Sequence, residues 1–152
     1  MKSYLKTEIG VIEIIEENGS IISIAGTDEE GEEDSSPLLS SAKEELSEYF
    51  RGERKTFDLP LCPSGTDFQK SVWKALLLIP YGETRTYSEI AEAAGRKDAV
   101  RAAANAVGSN PIPIIIPCHR VVRKDGSLGG FSMKGGIETK KILLGIEEKN
   151  RS

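Results

Sequence analysis

Residues 110–122 read Asn-Pro-Ile-Pro-Ile-Ile-Ile-Pro-Cys-His-Arg-Val-Val, and the rest of the chain is organised around them. Pro111, Pro113 and Pro117 cannot donate to a helical ladder, and each biases the residue before it towards extended geometry. The stretch is therefore predicted to be stiff and extended, with Ile114, Ile115 and Ile116 buried on both faces of a strand that Val121 and Val122 resume. Between these apolar flanks stands Cys118 beside His119, the only histidine in the chain. A thiol becomes a strong nucleophile as thiolate, which a proton-accepting imidazole can generate. Two readings compete: an inert cysteine packed as a small apolar residue, and a Cys-His pair built for covalent chemistry. Adjacent residues of an extended segment point to opposite faces, so the imidazole is expected to reach the thiol through a water or a local bend.

Upstream of this stretch the signals are helical. Thr66 and Gln69 have capping-box spacing, and Phe68, Val72, Ala75, Leu76 and Ile79 form the stripe of the helix they open, with Trp73 packing beside it. Pro80-Tyr81-Gly82 ends that helix. A second capping box, Thr86 with Glu89, opens a helix that turns Ile90, Ala91 and Ala94 inward and closes at Gly95. Asp98 is expected to cap a further helix over 99–107, ended by Gly108. Two short helices joined by a glycine-bearing turn make a helix-turn-helix pattern, and the small surface of the second allows close approach to a nucleic-acid groove. Downstream, residues 124–127 read as a hairpin turn, 128–136 as a glycine-rich loop, and 137–148 as a closing helix with Ile142, Leu143 and Ile146 inward.

Residues 1–60 carry no recognisable chemistry and read as a support. Two apolar stretches flank Asn18-Gly19, a two-residue turn signal, which predicts a β-hairpin. An acidic loop, 26–36, has little to bury and is expected to be mobile. Leu38, Leu39, Ala42, Leu46, Tyr49 and Phe50 then fall at helical spacing before Gly52. The expected architecture is α/β: a small N-terminal α/β domain over 1–60, then a mainly helical C-terminal domain over 61–152 with a winged-helix-like helix-turn-helix.

The chain has 152 residues, 38% of them hydrophobic and 29% charged, which suits an ordinary globular protein. No apolar run approaches the roughly 20 residues of a membrane span, and no signal-peptide core opens the chain, so no membrane partner and a cytoplasmic location are expected. Cys62 and Cys118 are expected as free thiols. One histidine and two cysteines do not readily make a four-ligand zinc site, so neither a metal nor another cofactor is predicted. The net charge of −4 conceals an asymmetry: residues 1–60 hold 6 Lys/Arg against 15 Asp/Glu, and 61–152 hold 14 against 9. A basic C-terminal half suits a polyanion.

The string Pro117-Cys118-His119-Arg120 with its flanks resembles the active-site signature of the O6-alkylguanine-DNA alkyltransferases, and the resemblance is specific from Thr66 to Glu147. It implies a monomer that binds double-stranded DNA containing O6-alkylguanine, flips the damaged base out of the stack, and takes its alkyl group irreversibly. Cys118 would be the acceptor, His119 its water-mediated base and Glu147 the carboxylate that orients the histidine. Asn110 would brace the active-site turn, and Tyr87 would donate a proton to the leaving guanine. Arg101 would be the finger that fills the vacated stack, with Ala102, Ala103 and Gly108 as the close-approach surface. Val107, Pro113, Val121, Phe131 and Ser132 would form the substrate pocket. Phe131 stands where many members have tyrosine, which leaves a ring wall without its hydroxyl while Ser132 still donates, and 131–137 is about two residues longer than in some relatives. O4-alkylthymine would be a poorer substrate. The competing readings are an alkyltransferase-like protein that flags lesions without transfer, whose members replace the cysteine kept here, and a turnover Cys-His hydrolase.

Overall fold

Three antiparallel strands open the chain in the computed structural model, which describes residues 1–151: β1 (Lys2–Thr7), β2 (Gly10–Glu17) and β3 (Ser20–Thr27), adjacent in that order. Asn18 and Gly19 both take positive φ, 52° and 81°, the turn geometry whose twist matches a right-handed hairpin. The expected hairpin is thus β2–β3, and β1 joins it as a third strand. Alternation along β2 buries Ile12 and Ile14 on the face covered by α1 (Pro37–Phe50), which contributes Leu39, Ala42, Leu46 and Tyr49. Ser36 caps α1 by accepting from the Leu39 N–H, and Pro37 sits in its first turn, where a missing donor costs nothing.

The acidic loop is tied down rather than loose. β1 is an edge strand whose N–H groups need acceptors, and the loop supplies them: Glu33 accepts from Tyr4 N and Ser3 Oγ, while Asp34 and Lys2 exchange two bonds of 2.8 and 2.9 Å. In the second half, α2 (Asp67–Leu77) is followed by a two-residue strand β4 (Arg85–Thr86), then α3 (Tyr87–Ala93) and α4 (Val100–Gly108). Both capping boxes form as the spacing predicts, Thr66 with Gln69 and Thr86 with Glu89. Asp98 does not cap α4: the cap position is Ala99, without a side-chain bond, and Asp98 instead lies 3.8 Å from Arg96. Trp73 is buried and donates its indole N–H to Ala106 O at 2.9 Å, which ties α2 to α4.

The stretch at 110–122 corrects the strand reading. Ile114, Ile115 and Ile116 are buried but form a turn, with Ile116 N–H closing onto Ile112 O at 3.0 Å and Ile114 held at φ 75°. Three prolines leave too few donors for a ladder, so the chain bonds back on itself. Cys118–Arg120 is a single 3-10 turn, and only Val121–Val122 is strand, β5, paired in parallel with β4. Residues 124–127 do turn, through Arg123 N to Ser127 O, but no further strand follows among the described residues to make a hairpin. The chain closes with α5 (Gly136–Lys149). One hydrophobic cluster runs from Ile12 and Tyr49 in the first half to Trp73, Ile112 and Leu143 in the second.

Candidate active site

Asn110 sets the turn that presents the cysteine. Its amide nitrogen donates to Ile116 O at 2.7 Å, and its amide oxygen accepts from Ile112 N at 2.9 Å, so one side chain satisfies both ends of the loop. Cys118 follows at the start of the 3-10 turn, 4% exposed, at the wall of a cavity of about 370 Å³. The other walls come from Tyr87 at the head of α3, from Ala104, Asn105, Val107 and Gly108 on α4, and from Gly130, Phe131 and Ser132 in the loop before α5. Burial pushes the Cys118 thiol up to about 11, only partly offset by the Asn110 amide and the charge of Lys140.

Because the turn is 3-10, successive side chains diverge by about 120° rather than 180°. His119 and Arg120 therefore both reach inward, to Glu147 on α5. His119 Nε2 lies 2.5 Å from Glu147 Oε2, Arg120 donates to both carboxylate oxygens at 2.8 and 3.1 Å, and Gly82 N–H donates to Oε1 at 3.1 Å. Burial opposes ionisation of Glu147, but the bonds and charges of His119 and Arg120 outweigh it and hold the carboxyl at about 2. Burial lowers His119 from its ordinary value, and the carboxylate only partly restores it. The resting pair is thus a carboxylate and a neutral imidazole. An ionised carboxylate only accepts, so the imidazole proton sits on Nε2, and Nδ1 is left as a basic lone pair. Nδ1 is buried and has no hydrogen-bond partner among the described residues.

Ala103 is 0% exposed and packs into the core, so it is not part of an approach surface; on a helix its neighbours at 101, 104, 105 and 108 share the outer face instead. Val121 is fully buried behind the site, and Pro113 borders a separate hollow of about 330 Å³ beside β3, so neither lines the cavity that holds Cys118. Val107, Phe131 and Ser132 do line it, but the Ser132 hydroxyl donates to Gly108 O at 2.7 Å and turns its lone pairs, not its proton, to any ligand. Arg101 and Ala102 are exposed on α4, and Arg101 shares a groove of about 730 Å³ with Tyr87, Arg123 and Gly129. Gly129 is required there: it has φ 72°, and a Cβ would come within 3.0 Å of the Tyr87 hydroxyl. Burial raises the Tyr87 hydroxyl above its ordinary value, which keeps it a proton donor.

Sequence reasoning missed Ala104, Asn105 and Gly130, although the first two follow from Arg101 by helical spacing. It also missed Lys140. That ammonium is 0% exposed and donates to Val121 O, Leu128 O and Gly130 O, which closes the loop over the cavity. Burial draws it down to about 8, and it and Cys118 lie close enough to feel each other's charge.

Fold and site together define a protein that sets a helix-turn-helix beside a buried cysteine whose neighbouring histidine is hydrogen-bonded to a buried glutamate. The chain belongs to the 6-O-methylguanine DNA methyltransferase family: the model of that family's DNA binding domain matches residues 67–149, and that of its ribonuclease-like domain matches residues 1–63. It is 56% identical over 109 residues to the methylated-DNA–protein-cysteine methyltransferase of Methanosarcina barkeri, covering 72% of this chain and 68% of that protein. The crystal structure of the Mycobacterium tuberculosis O6-methylguanine methyltransferase superposes with a TM-score of 0.87 at 40% identity over 99% of this chain and 94% of the other. A structure from the same organism in complex with DNA gives 0.86 at 40% identity, over 97% and 93%. No helix among the described residues is long and apolar enough to cross a membrane.

Proposed function

We infer that the chain repairs O6-alkylguanine in duplex DNA by direct reversal, taking the alkyl group onto Cys118 once per molecule. The observation that carries this reading is the position of Cys118: at the wall of a cavity large enough for a base, and next in the chain to a histidine whose Nε2 is committed to a buried carboxylate. The Cys118 proton passes to His119 Nδ1, directly or through a water, and the imidazolium is stabilised by Glu147. The sulfur then attacks the alkyl carbon in line. An S–C bond forms, the C–O6 bond breaks, and the bonding pair leaves with the guanine oxygen. Tyr87 gives a proton to the departing guanine; the proton held by His119 and the one owed to Tyr87 balance through solvent, leaving an S-alkyl cysteine and an unmodified guanine.

Asn110 holds the turn that carries Cys118, and Phe131 walls the flipped base. Arg101, Ala102 and Gly108 face the duplex, with Arg101 entering the gap the base leaves. Action on O4-alkylthymine is slower. The protein works as a monomer in the cytoplasm, where both thiols stay reduced.

Incubation with duplex DNA carrying label on the methyl of methylguanine tests the reading. The expected result is one label per protein molecule, mapped by peptide mass to Cys118. Label that never moves would indicate lesion binding alone, label released repeatedly would indicate a hydrolase, and transfer by a Cys118→Ser protein would overturn the assignment.

A further inference from the structure

The Glu147 carboxylate has a partner from the other half of the chain. Tyr49, on α1, is fully buried and donates its hydroxyl to Glu147 Oε2 at 2.6 Å, with its oxygen 3.4 Å from His119 Nε2. The histidine nitrogen already carries a proton for Oε2, so the only acceptor at hand for the tyrosine is the same oxygen. Five donors now converge on one carboxylate with about four lone-pair positions. Arg120 and Gly82 suffice to orient the group, since between them they engage both oxygens. The Tyr49 hydroxyl adds no orientation that the guanidinium fork lacks; it takes a share of the negative charge on the oxygen that faces the histidine.

We propose that Tyr49 is a positioning residue that tempers the relay: by sharing Glu147 Oε2 with His119, it withholds carboxylate charge from the imidazole and so adds to the burial that keeps Cys118 protonated in the resting protein. A protein that uses its thiol once gains from this, because a thiolate exposed before the substrate arrives would be spent on other electrophiles. Burial first, and then the charge of Glu147 and the hydrogen bond to it, raise Tyr49 well above its ordinary value, so it remains a donor throughout the working range. The charged and titratable groups facing the cluster are Arg120 in the 3-10 turn, Lys140 on α5, and Tyr81 after α2, whose ring meets Tyr49 edge-on at 6.2 Å and lies under Lys55. None of the cations can donate to Oε2 in place of Tyr49 except Arg120, which already does.

The proposal rests on Cys118 being the alkyl acceptor, but its test needs no alkylguanine. In a Cys62→Ser background, which removes the exposed thiol, the rate of Cys118 alkylation by iodoacetamide is followed against pH. Tyr49→Phe keeps the ring that packs on Phe50 and Phe57 and removes only the donor. It should lower the apparent thiol pKa by about half a unit to one unit, a roughly three- to tenfold faster reaction at fixed pH below that pKa. Fluorotyrosine at position 49, a stronger donor of nearly the same shape, should move the pKa the other way, and this pair alone decides the matter if the phenylalanine variant does not fold. The order Phe, Tyr, fluorotyrosine in rising thiol pKa supports the proposal. A flat series, or a higher pKa in Tyr49→Phe as a simple brace would give, overturns it. Methylguanine DNA run in parallel keeps the two ideas apart: failure to accept a methyl group would sink the repair reading and leave the thiol series standing.

Discussion

Glu147 is where the proposed chemistry and the stability of the protein meet. Its carboxyl falls from an ordinary 4.5 to about 2 in the folded state, and His119 is likewise lowered from 6.5 by burial. Both groups bind protons more readily when unfolded, so each contributes stability that is complete above its unfolded value and is lost as pH falls. The His119 contribution fades below about pH 6.5, and the Glu147 contribution fades from about 4.5 towards 2. The second step amounts to about 3 kcal/mol, from 1.36 kcal/mol per unit. Urea unfolding at a series of pH values should show this two-stage loss. Glu147→Gln should be about 3 kcal/mol less stable at pH 7, because it leaves the Arg120 guanidinium buried without its countercharge, and its stability should be flat through the lower stage. It should also slow transfer while leaving DNA affinity nearly unchanged; an equal loss of both would assign Glu147 to folding alone.

The turn at 110–117 is the element that presents the thiol, and it depends on one side chain. Asn110→Ala removes the donor to Ile116 O and the acceptor for Ile112 N together, in a segment whose prolines leave few other bonds. Loss of two partly buried hydrogen bonds should cost about 2 kcal/mol and slow transfer at least tenfold, since the Asn110 amide also offsets the burial that raises the thiol. An Asn110→Ala protein with unchanged stability and rate would show that the turn is held by packing. This element also marks how far sequence reasoning reaches. The two capping boxes and the Asn18-Gly19 turn were legible because each is a bond between residues three apart or fewer. The isoleucine run was not: its composition says buried and β-branched, which a strand and a packed turn satisfy equally, and only the hydrogen bonds between them choose. Pro117-Cys118-His119-Arg120 was legible as a signature, and Glu147 came with it, but Tyr49 lies 98 residues from its partner and looks like any other helix-face aromatic. Lys140 was hidden for a similar reason, since a lysine in a charged helix reads as solvated until three carbonyls are found around it.

At the scale of the molecule, acidic residues gather in the half that carries the sheet, and the excess of basic residues lies in the half that carries α3 and α4. Affinity for DNA should therefore fall with salt, each neutralised phosphate contributing about −0.9 to the slope of log affinity against log salt. In the proposed reaction Arg101 would have a different task from the cations that set that slope. It is exposed on α4, in the groove that adjoins the Cys118 cavity, with Tyr87, Ala104 and Gly130 shared between the two. A side chain there can occupy the gap left by an extruded base and offset an unstacking and unpairing cost on the order of a few kcal/mol. Arg101→Ala should then slow transfer from duplex DNA strongly, by a hundredfold or so for about 3 kcal/mol lost, and barely alter reaction with free O6-alkylguanine base, which needs no flipping. Arg101→Lys should rescue only in part, because an ammonium keeps the charge but cannot stack as a plane. Single-turnover rates on both substrates decide between roles: a parallel loss on free base and duplex would mean that Arg101 supports the cavity itself, and the flipping role would pass to another residue of the groove, with Arg123, which also lines it, the first to test.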